Sequence, residues 1–329
     1  MNVLVTGGAG YIGSHVVEEL KNSGFVPIVY DNLSTGHADA VPEDVLLING
    51  DIHDLDFLEH IMGEYEIDAV MHFAASSLVG ESMENPGRYY YNNVAGSLSL
   101  LDAMRKAGVD TIVFSSTAAV YGEPEKWPIE EEFTVCPTNV YGRTKLMIET
   151  MLADYDMAYD LRYVALRYFN AAGASASGKI GEDHRPETHL IPIVLKTALK
   201  IRNSVSIFGT DYPTPDGTCV RDYIHVADLA VAHVLALKHL LDGGSSKVYN
   251  LGSEKGFSVR EIIETAKKVT DVDFAVSEEK RRPGDPAVLI ASSKKISEEL
   301  GWKPTHSAIE EVIDSAWQWH KDHPQGYEE

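Results

Sequence analysis

A tyrosine and a lysine four residues apart are the pair in this chain best suited to moving a proton. Tyr141 and Lys145 belong to the segment Tyr-Gly-Arg-Thr-Lys, and a spacing of four places both side chains on one face of a helix. A phenol with its ordinary pKa of about 10 is a weak base at neutral pH, but a neighbouring ammonium stabilises the phenolate and lowers that pKa. The pair is therefore a candidate general acid and base.

A run of hydroxyl side chains supplies a possible third member of this set. Ser115, Ser116 and Thr117 follow the apolar segment that begins at Thr111. A hydroxyl at the carboxyl end of a parallel strand faces the crevice where such sheets bind ligands. A Tyr–Lys pair at this spacing is common on helices and indicates nothing alone; its combination with Thr117 and with a dinucleotide-binding loop is specific.

That loop is the glycine-rich segment between the first predicted strand and the first predicted helix. Gly7, Gly10 and Gly13 allow the backbone to turn tightly and to approach a pyrophosphate. Tyr11 and Ile12 lie where the helix begins, and the N–H groups of a helix N-terminus attract an anion. The alternative is a glycine-rich turn that binds nothing.

Asp31 ends the second predicted strand, 18 residues after Gly13. A carboxylate at this place accepts hydrogen bonds from an adenosine ribose and repels a 2′-phosphate, which favours NAD over NADP. The alternative is an aspartate that only forms a turn before Asn32. Further cofactor contacts are predicted at Asn32 and after the third and fourth strands, at Asp51, Ile52, Phe73, Ala74 and Ala75.

Short β-branched runs alternate with helical patterns in the first half of the chain. The predicted strands are Asn2 to Thr6, Val26 to Tyr30, Val45 to Ile48, Ala69 to Phe73, Thr111 to Ser115 and Arg162 to Leu166. The predicted helices are Gly10 to Asn22, Leu55 to Gly63, Asn92 to Ala107, Val140 to Tyr155, Leu190 to Arg202 and Ala308 to Asp322. Apolar strands that alternate with helices predict an α/β fold with a doubly wound parallel sheet of the Rossmann type. The change of pattern after about Asn170 predicts a second, smaller mixed α/β domain.

The amino-acid composition limits which binding partners and which cellular location the protein can be expected to have. The chain has 329 residues, with 28 Lys and Arg against 50 Asp and Glu, for a net charge of −22. Such a charge disfavours nucleic acid and anionic lipid, and no apolar run reaches the ~18 residues of a membrane span. The only two cysteines, Cys136 and Cys219, have no paired spacing. We therefore expect reduced thiols and a cytoplasmic protein.

Motifs along nearly the whole chain resemble those of one family. From residue 4 to about 290 they include TGGAGYIGSH, YDNLSTGH, YYYNNVAG, FSSTAAVYG, NVYGRTK, LRYFNAAGA, VRDYIHVADLA, YNLGS and RRPGDPA. In these segments the chain resembles the extended short-chain dehydrogenase/reductase superfamily and, within it, the UDP-glucose 4-epimerase family. The resemblance implies an NAD-binding domain over residues 1–178 and a UDP-sugar-binding domain over 179–329, with some segments returning to the first.

Roles for individual residues follow from the resemblance. It implies that Tyr141 is the base, that Lys145 also holds the nicotinamide ribose, and that Thr117 occupies the position of a catalytic Ser or Thr. Asn92 and Tyr168 match cofactor positions. Ser77 stands where some members have a phosphate-binding lysine. The positions that match contacts of the nucleotide sugar are Asn170, His189, Leu190, Phe208, Arg221, Arg282, Asp285 and Val288.

Two of these substrate positions carry alternatives. His189 replaces the asparagine that family members have before Leu190, so one contact differs. Arg221 and Arg282 supply the cations that a diphosphate needs in an acidic protein, but an ion pair of Arg221 with Asp222 or Asp228 is the structural alternative.

The implied reaction is reversible C4 epimerisation of UDP-galactose and UDP-glucose through a 4-keto sugar, with transient hydride transfer to bound NAD. Nucleotide-sugar 4,6-dehydratases and UDP-glucuronate decarboxylases are rivals on the same scaffold. Dehydratases carry an acid–base pair, usually Asp-Glu, after the Thr, and decarboxylases usually keep the Glu. Ala118 and Ala119 stand at those positions and transfer no proton. A non-catalytic NAD-sensing regulator of this fold has no need for the Tyr–Lys–Thr set.

The resemblance also concerns the breadth of substrate. Ala287 or Val288 stands where a bulky Tyr excludes a 2-acetamido group in some family members, so UDP-N-acetylhexosamines become candidate substrates.

The resemblance implies a homodimer through the helices near 92–107 and 140–155. No metal site is predicted, because His320 and His323 lack a carboxylate cluster.

Overall fold

A computed structural model describes residues 1–282 and 285–327. The elements of the first half are β1 (Asn2–Thr6), α1 (Tyr11–Asn22), β2 (Val26–Asp31), β3 (Leu46–Asn49), α2 (Leu55–Glu64), β4 (Ile67–His72), α3 (Val79–Glu84), α4 (Pro86–Tyr89), α5 (Gly96–Ala107), β5 (Thr111–Ser115), α6 (Val140–Tyr159) and β6 (Arg162–Tyr168). The elements that follow are β7 (Asn170–Ala172), α7 (Leu190–Ala198), β8 (Ser204–Phe208), β9 (Val220–His225), α8 (Val226–Leu241), β10 (Lys247–Leu251), β11 (Gly256–Ser258), α9 (Val259–Thr270), β12 (Ala275–Glu279), β13 (Val288–Leu289), α10 (Lys294–Leu300) and α11 (Ile309–Asp322).

Seven strands form one sheet in the order β10-β6-β5-β4-β1-β2-β3, and every pair in it is parallel. The strand order reverses direction between β1 and β4, which makes this the switch point of a doubly wound sheet. Its strands are apolar because helices cover both faces. The predicted α/β fold with a Rossmann-type sheet is confirmed.

The sheet lies between two layers of helices. On one face, α1 and α8 pack through side chains such as Val16, Leu20 and Leu237. On the other face, α2, α5 and α6 contribute Leu58, Leu100 and Ile148, among others. Both α8 and β10 follow residue 179 in the chain, yet they complete the layers of the large sheet. The boundary at 178/179 stays a prediction.

A smaller unit is built on β9. It pairs in parallel with β13 and β7 and antiparallel with β11, and β8 forms a separate parallel pair with β12. Helices α7, α9 and α11 pack together through Ile191, Ile263 and Ile313. This mixed unit supplies one wall of the candidate site described below.

Three helices differ from the sequence prediction by more than one residue. The helix predicted over 92–107 is a π-helical segment, Tyr90–Ala95, followed by α5. Within that segment the Asn93 side chain is buried and bonded to neighbouring elements. Helix α6 runs four residues beyond Tyr155, to Tyr159. Helix α7 ends at Ala198 rather than at 202, where Lys200 takes a left-handed φ of 63°.

No helix in the described part of the chain is both long enough and apolar enough to cross a bilayer.

Candidate active site

The glycine loop presses against the end of β4 so closely that two of its residues have no room for a side chain. Gly7 has a φ of +76°, and a Cβ there would lie 2.5 Å from the backbone nitrogen of Ala74. A Cβ on Gly13 would lie 2.2 Å from the Gly7 carbonyl oxygen. Gly10 is the N-cap residue of α1, and no side chain there accepts a hydrogen bond from the N–H groups of the first turn. This bare cradle at a helix N-terminus fits the pyrophosphate of a dinucleotide.

Asp31 is held beside this loop by backbone donors. Its carboxylate accepts hydrogen bonds from the Ala9 N–H at 3.0 Å and the Leu33 N–H at 2.9 Å. Burial raises the pKa of Asp31, and the two hydrogen bonds act in the opposite direction. The orientation of the carboxylate is therefore fixed at the carboxyl end of β2, as a ribose-binding acid requires.

The neighbouring predicted cofactor residues form a polar edge next to Asp31. The Asn32 amide donates to Asp51 Oδ2 at 3.0 Å, and His53 donates its backbone N–H to Asp51 Oδ1 at 3.0 Å. Although partial burial raises it, hydrogen bonds from His53 and Asn32 hold the pKa of Asp51 below its ordinary value. Ile52, between them, turns inward and is buried in the core against Gly96.

The segment after β4 forms the floor of the crevice. The N–H groups of Phe73 and Ala74 both donate to the Thr6 carbonyl, at 2.8 and 3.0 Å. The Phe73 ring packs 4.9 Å from the ring of His233 on α8. Ala75, like these two neighbours, is partly exposed. The predicted residues 73–75 thus line the crevice between the glycine loop and the candidate catalytic residues.

Close packing of α6 brings Tyr141 to Thr117. Asn139 caps α6 by accepting the Gly142 N–H at 2.8 Å. A Cβ on Gly142 would lie 2.6 Å from the Ala119 carbonyl oxygen, so glycine permits this approach. The Thr117 hydroxyl lies near enough to the Tyr141 hydroxyl to lower its pKa by hydrogen bonding, and it accepts the Ala119 N–H at 3.1 Å. The structure therefore brings two of the three predicted catalytic side chains together.

Lys145 lies one turn further along α6 and is buried. Its Nζ donates to the Ser115 carbonyl at 2.8 Å and lies 5.9 Å from the centroid of the Tyr141 ring. Burial lowers the pKa of Lys145 to about 7, and the Glu149 carboxylate acts in the opposite direction. Tyr141, Lys145 and Thr117 are all found at one place, at the carboxyl end of β5.

The expectation that Lys145 lowers the pKa of Tyr141 is not met in this structure. Burial raises the pKa of Tyr141 to about 12, and only the hydrogen bond with Thr117 acts in the opposite direction. The physical reason is that removal of the phenolate from water outweighs a cation whose Nζ is directed to the Ser115 carbonyl.

Two residues near Tyr141 refine the cofactor predictions. The buried Tyr168 hydroxyl is hydrogen-bonded to the Ser115 hydroxyl, which places Tyr168 beside the Lys145 contact. Asn92 donates to the side chain of Asn93 at 2.9 Å. Asn93, which the sequence analysis missed, is fully buried and donates to the Thr144 hydroxyl and the Ser76 carbonyl, both at 3.0 Å. The only sequence feature that could have identified Asn93 is the pair of adjacent asparagines, Asn92 and Asn93, in a predicted helix.

A second residue pair that the sequence analysis missed lies beneath the catalytic residues. Arg167 on β6 contacts Glu149 on α6 through Nε–Oε1 at 2.9 Å and Nη2–Oε2 at 2.5 Å. Ser116 also donates to Glu149, and Arg167 Nη1 donates to the Tyr121 hydroxyl at 2.9 Å. The sequence feature that could have indicated this pair is a charged arginine, Arg167, next to the apolar residues of a predicted strand.

Several predicted substrate residues gather on the smaller unit. Asn170 on β7 pairs in register with Tyr223 on β9, and Val288 on β13 pairs with Val220 on the same strand. Asn170 also donates its side-chain amide to the Asp222 carbonyl at 2.9 Å. Strands β7 and β13, which both pair with β9, therefore carry predicted substrate contacts.

The arginines have partners other than those considered from sequence. Arg221 forms an ion pair with Asp285, not with Asp222 or Asp228, whose carboxylates accept hydrogen bonds from other groups. The Arg282 guanidinium lies 3.9 Å from the centroid of the Phe208 ring. Of the predicted RPGD motif, residues 283 and 284 lie outside the described residues.

His189 and Leu190 lie at the start of α7. His189 Nδ1 is 2.5 Å from Glu182 Oε1, and half of its side chain is exposed. Although burial acts against the charged form, Glu182 and Glu187 raise the pKa of His189 to about 9. The imidazole is thus engaged by carboxylates, and the sequence analysis overlooked Glu182, His184 and Glu187 around it. The signal was the alternation of acids and histidines within eight residues.

The fold and the site define a dinucleotide-binding enzyme in which a tyrosine, a lysine and a threonine lie together at the carboxyl end of β5. Residues 3–252 match the model of the NAD dependent epimerase/dehydratase family, and the chain belongs to this family. It is 55% identical to a UDP-glucose 4-epimerase of Halalkalibacterium halodurans over 327 residues, 99% of this chain and 98% of that protein.

Solved structures agree with the family assignment. A crystal structure of a UDP-glucose 4-epimerase superposes with a TM-score of 0.98 at 53% identity and covers 100% of both chains. A UDP-glucose 4-epimerase from Brucella ovis, crystallised with NAD, superposes with a TM-score of 0.94 at 50% identity and covers 96% of this chain and 97% of that one. The family depends on NAD, which fits the cradle and the Asp31 carboxylate.

We predict that Asp31→Asn raises the affinity for NADP relative to NAD by about 10-fold, since the substitution removes a negative charge that repels a 2′-phosphate. Dissociation constants for both cofactors, measured by fluorescence titration at one salt concentration, test this. Asp51→Asn is the matched control and should change both affinities by similar factors. An unchanged NADP/NAD ratio in Asp31→Asn would show that this carboxylate does not face the ribose.

Proposed function

We propose that this chain inverts the configuration at C4 of a UDP-hexose, interconverting UDP-galactose and UDP-glucose. The observation that carries the proposal is the placement of the Thr117 hydroxyl beside the Tyr141 hydroxyl, with Lys145 Nζ 5.9 Å from the centroid of the Tyr141 ring. The similarity to UDP-glucose 4-epimerases at 50–55% identity supports the choice of substrate.

The residues that would hold NAD are those of the cradle. The first turn of α1 would hold the pyrophosphate, Asp31 would accept hydrogen bonds from the adenosine ribose, and Lys145 and Tyr168 would lie near the nicotinamide end. Bound NAD would supply a hydride acceptor and donor for C4 of the sugar, which would pass through a 4-keto form.

Tyr141 carries the proton in both directions. Its phenol oxygen accepts the proton of the sugar 4-hydroxyl and later returns it, so the reaction has no net redox change. Thr117 donates to or accepts from the same oxygen and keeps it oriented. With a pKa of about 12 the phenol is neutral in the resting site, and a protonated Lys145 beside it favours the phenolate when the substrate proton is transferred.

Local cations hold the diphosphate against the charge of the chain. The net charge is −22, so a nucleotide diphosphate needs Arg221 and Arg282 close to it. Arg221 is already oriented by Asp285, and Arg282 lies on the Phe208 ring. An anchored UDP with a loosely held hexose lets the keto sugar present either face of C4.

The residues after Thr117 argue against the rival reactions. Ala118 and Ala119 form the turn that follows β5, and neither side chain can protonate a leaving hydroxyl. Dehydration therefore lacks its acid, and decarboxylation lacks the Glu that such enzymes usually keep. A purely regulatory NAD sensor would not require Tyr141 in contact with Thr117.

We predict that Tyr141→Phe lowers turnover of UDP-galactose to UDP-glucose by at least ~10²-fold while NAD content stays constant, because only the proton acceptor is lost. A coupled assay for UDP-glucose and the absorbance of released cofactor measure the two effects. Tyr159→Phe, on the exposed end of the same helix, should keep full activity. More than about a tenth of wild-type turnover in Tyr141→Phe would reject the assigned base.

We predict that the wild-type protein also interconverts UDP-N-acetylglucosamine and UDP-N-acetylgalactosamine. Val288 and Ala287 are both smaller than Tyr, and relief of such overpacking is worth about 1–3 kcal/mol, roughly 10- to 100-fold in rate. Val288→Tyr should lower kcat/KM for UDP-N-acetylgalactosamine selectively; Ala287→Tyr tests the neighbouring position, and Val276→Tyr on the separate β12 strand is the control. A wild-type preference above about a thousandfold for UDP-galactose would rule out this breadth.

We also propose a homodimer through α5 and α6. Leu98, Met147 and Met157 are large apolar side chains that lie exposed on these adjacent helices. We expect sedimentation equilibrium to give twice the chain mass, and Met147→Glu to shift it toward the monomer, because burial of an unpaired charge opposes association. Ile201→Glu, outside these helices, is the control. A monomer mass for the wild type would contradict the proposal.

The location we propose is the cytoplasm. Cys136 and Cys219 are both free thiols, and Cys136 is exposed, as is usual in a reducing compartment. Cell fractionation measures this directly.

A further inference from the structure

Two glutamates and two histidines before α7 converge on one point. Glu182, His184, Glu187 and His189 each offer one ligand atom, and these four atoms lie within 4.8 Å of one another. His184 Nδ1 is 3.2 Å from Glu182 Oε1 and 3.9 Å from Glu187 Oε2. His189 Nδ1 lies 2.5 Å from Glu182 Oε1 and 3.7 Å from Glu187 Oε1.

Protein groups alone leave this cluster incomplete. Within the described residues, His184 Nδ1 and Glu187 Oε2 are buried and make no hydrogen bond, although His184 Nδ1 has an ion-pair contact of 3.2 Å with Glu182 Oε1. The Glu187 side chain is only 5% exposed, and a buried carboxylate oxygen without a partner is costly. Both unpartnered atoms face the same small space, which is what a cation would fill.

We propose that Glu182, His184, Glu187 and His189 bind a divalent transition-metal ion, and the ligand set favours Zn²⁺. Imidazole nitrogen and carboxylate oxygen are ordinary ligands of zinc, and four of them close a structural tetrahedral site. Ligand distances of about 2.0–2.1 Å place neighbouring ligand atoms about 3.3 Å apart. The His189–Glu182 contact then opens slightly and the His184–Glu187 contact closes.

The surrounding hydrogen bonds already orient the ligands. Glu187 Oε1 accepts the N–H groups of Thr188 and His189, at 2.8 and 2.9 Å, which leaves Oε2 directed to His184. Such outer contacts commonly hold metal-binding carboxylates in place. The half-exposed His189 provides a route by which an ion reaches the site from solvent.

The site lies where the glycine loop meets the segment before α7. The Tyr11 and His184 rings pack in a T-shaped arrangement with centroids 6.2 Å apart, and the Tyr11 hydroxyl donates to the Gly173 carbonyl at 2.7 Å. Leu190 begins α7 immediately after His189. The ion therefore has a structural role, joining the cofactor-binding loop to the substrate-binding unit, and it does not depend on the proposed reaction.

Metal content of the whole protein tests the proposal without any measurement of activity. Protein made without a histidine tag, and purified without a metal column, should retain about one equivalent of Zn²⁺ per chain after dialysis, as measured by plasma mass spectrometry. After chelation, added Co²⁺ should give the intense visible bands of a tetrahedral site, and added Zn²⁺ should raise Tm by about 2 °C or more.

Variants assign the ion to this cluster. Glu187→Gln and His184→Gln should each lower the retained Zn²⁺ at least about 10-fold, whereas His60→Gln, which removes an exposed His–Glu pair with Glu64, should leave it unchanged. Tyr141→Phe should keep the full metal content, so that failure of the proposed reaction and failure of this site are distinguishable.

Retention below about 0.1 equivalent in the wild type, without Co²⁺ bands and without a Zn²⁺-dependent Tm, would overturn the proposal. The cluster would then be an ion pair of Glu182 with His189. Because the Co²⁺ spectrum is taken on the wild type, this result does not depend on the folding of any variant.

Discussion

A buried ion pair between Glu149 and Arg167 holds the candidate catalytic residues at their positions. The two side chains are 6% and 7% exposed and join α6 to β6 at the centre of the sheet. Loss of one partner of such a pair leaves an uncompensated buried charge, at a cost of about 3–5 kcal/mol. Glu149 lies one turn beyond Lys145, which itself lies one turn beyond Tyr141. The ion pair thereby fixes how α6 sits above the strand ends, and with it the contact between Tyr141 and Thr117.

The same pair explains how a buried lysine is tolerated in this site. Burial lowers the pKa of Lys145, the Glu149 carboxylate acts in the opposite direction, and the pKa that results is about 7. If Arg167 did not neutralise most of the Glu149 charge, the lysine would bind its proton more firmly. The balance keeps Lys145 able to change charge near neutral pH, which suits a residue beside the tyrosine that we propose as the proton carrier.

The sequence predicted those parts of the site whose residues belong to one helix, one strand or one loop. The glycine loop, Asp31 at a strand end, and Tyr141 with Lys145 on one helix each depend on spacing within one element, and the structure places them as expected. Contacts between distant segments had no such pattern. The pairing of Arg221 with Asp285, the burial of Asn93 against Thr144, and the meeting of Glu149 with Arg167 join residues 18 to 64 positions apart. The packing of α8 and β10 on the large sheet likewise depends on the whole fold, so no local pattern of residues predicts it.

Several contacts join the glycine loop and its neighbours to the segment that leads into the smaller unit. Tyr11 reaches from the loop to Gly173, and His37 contacts Asp183, two residues before Arg185. The buried Tyr327, beyond α11, stacks on His37 with ring centroids 4.8 Å apart. The segment around residue 183 thus receives contacts from both parts and leads into α7. These contacts hold the start of α7 in place relative to the glycine loop, although none of the residues involved is a candidate catalytic residue.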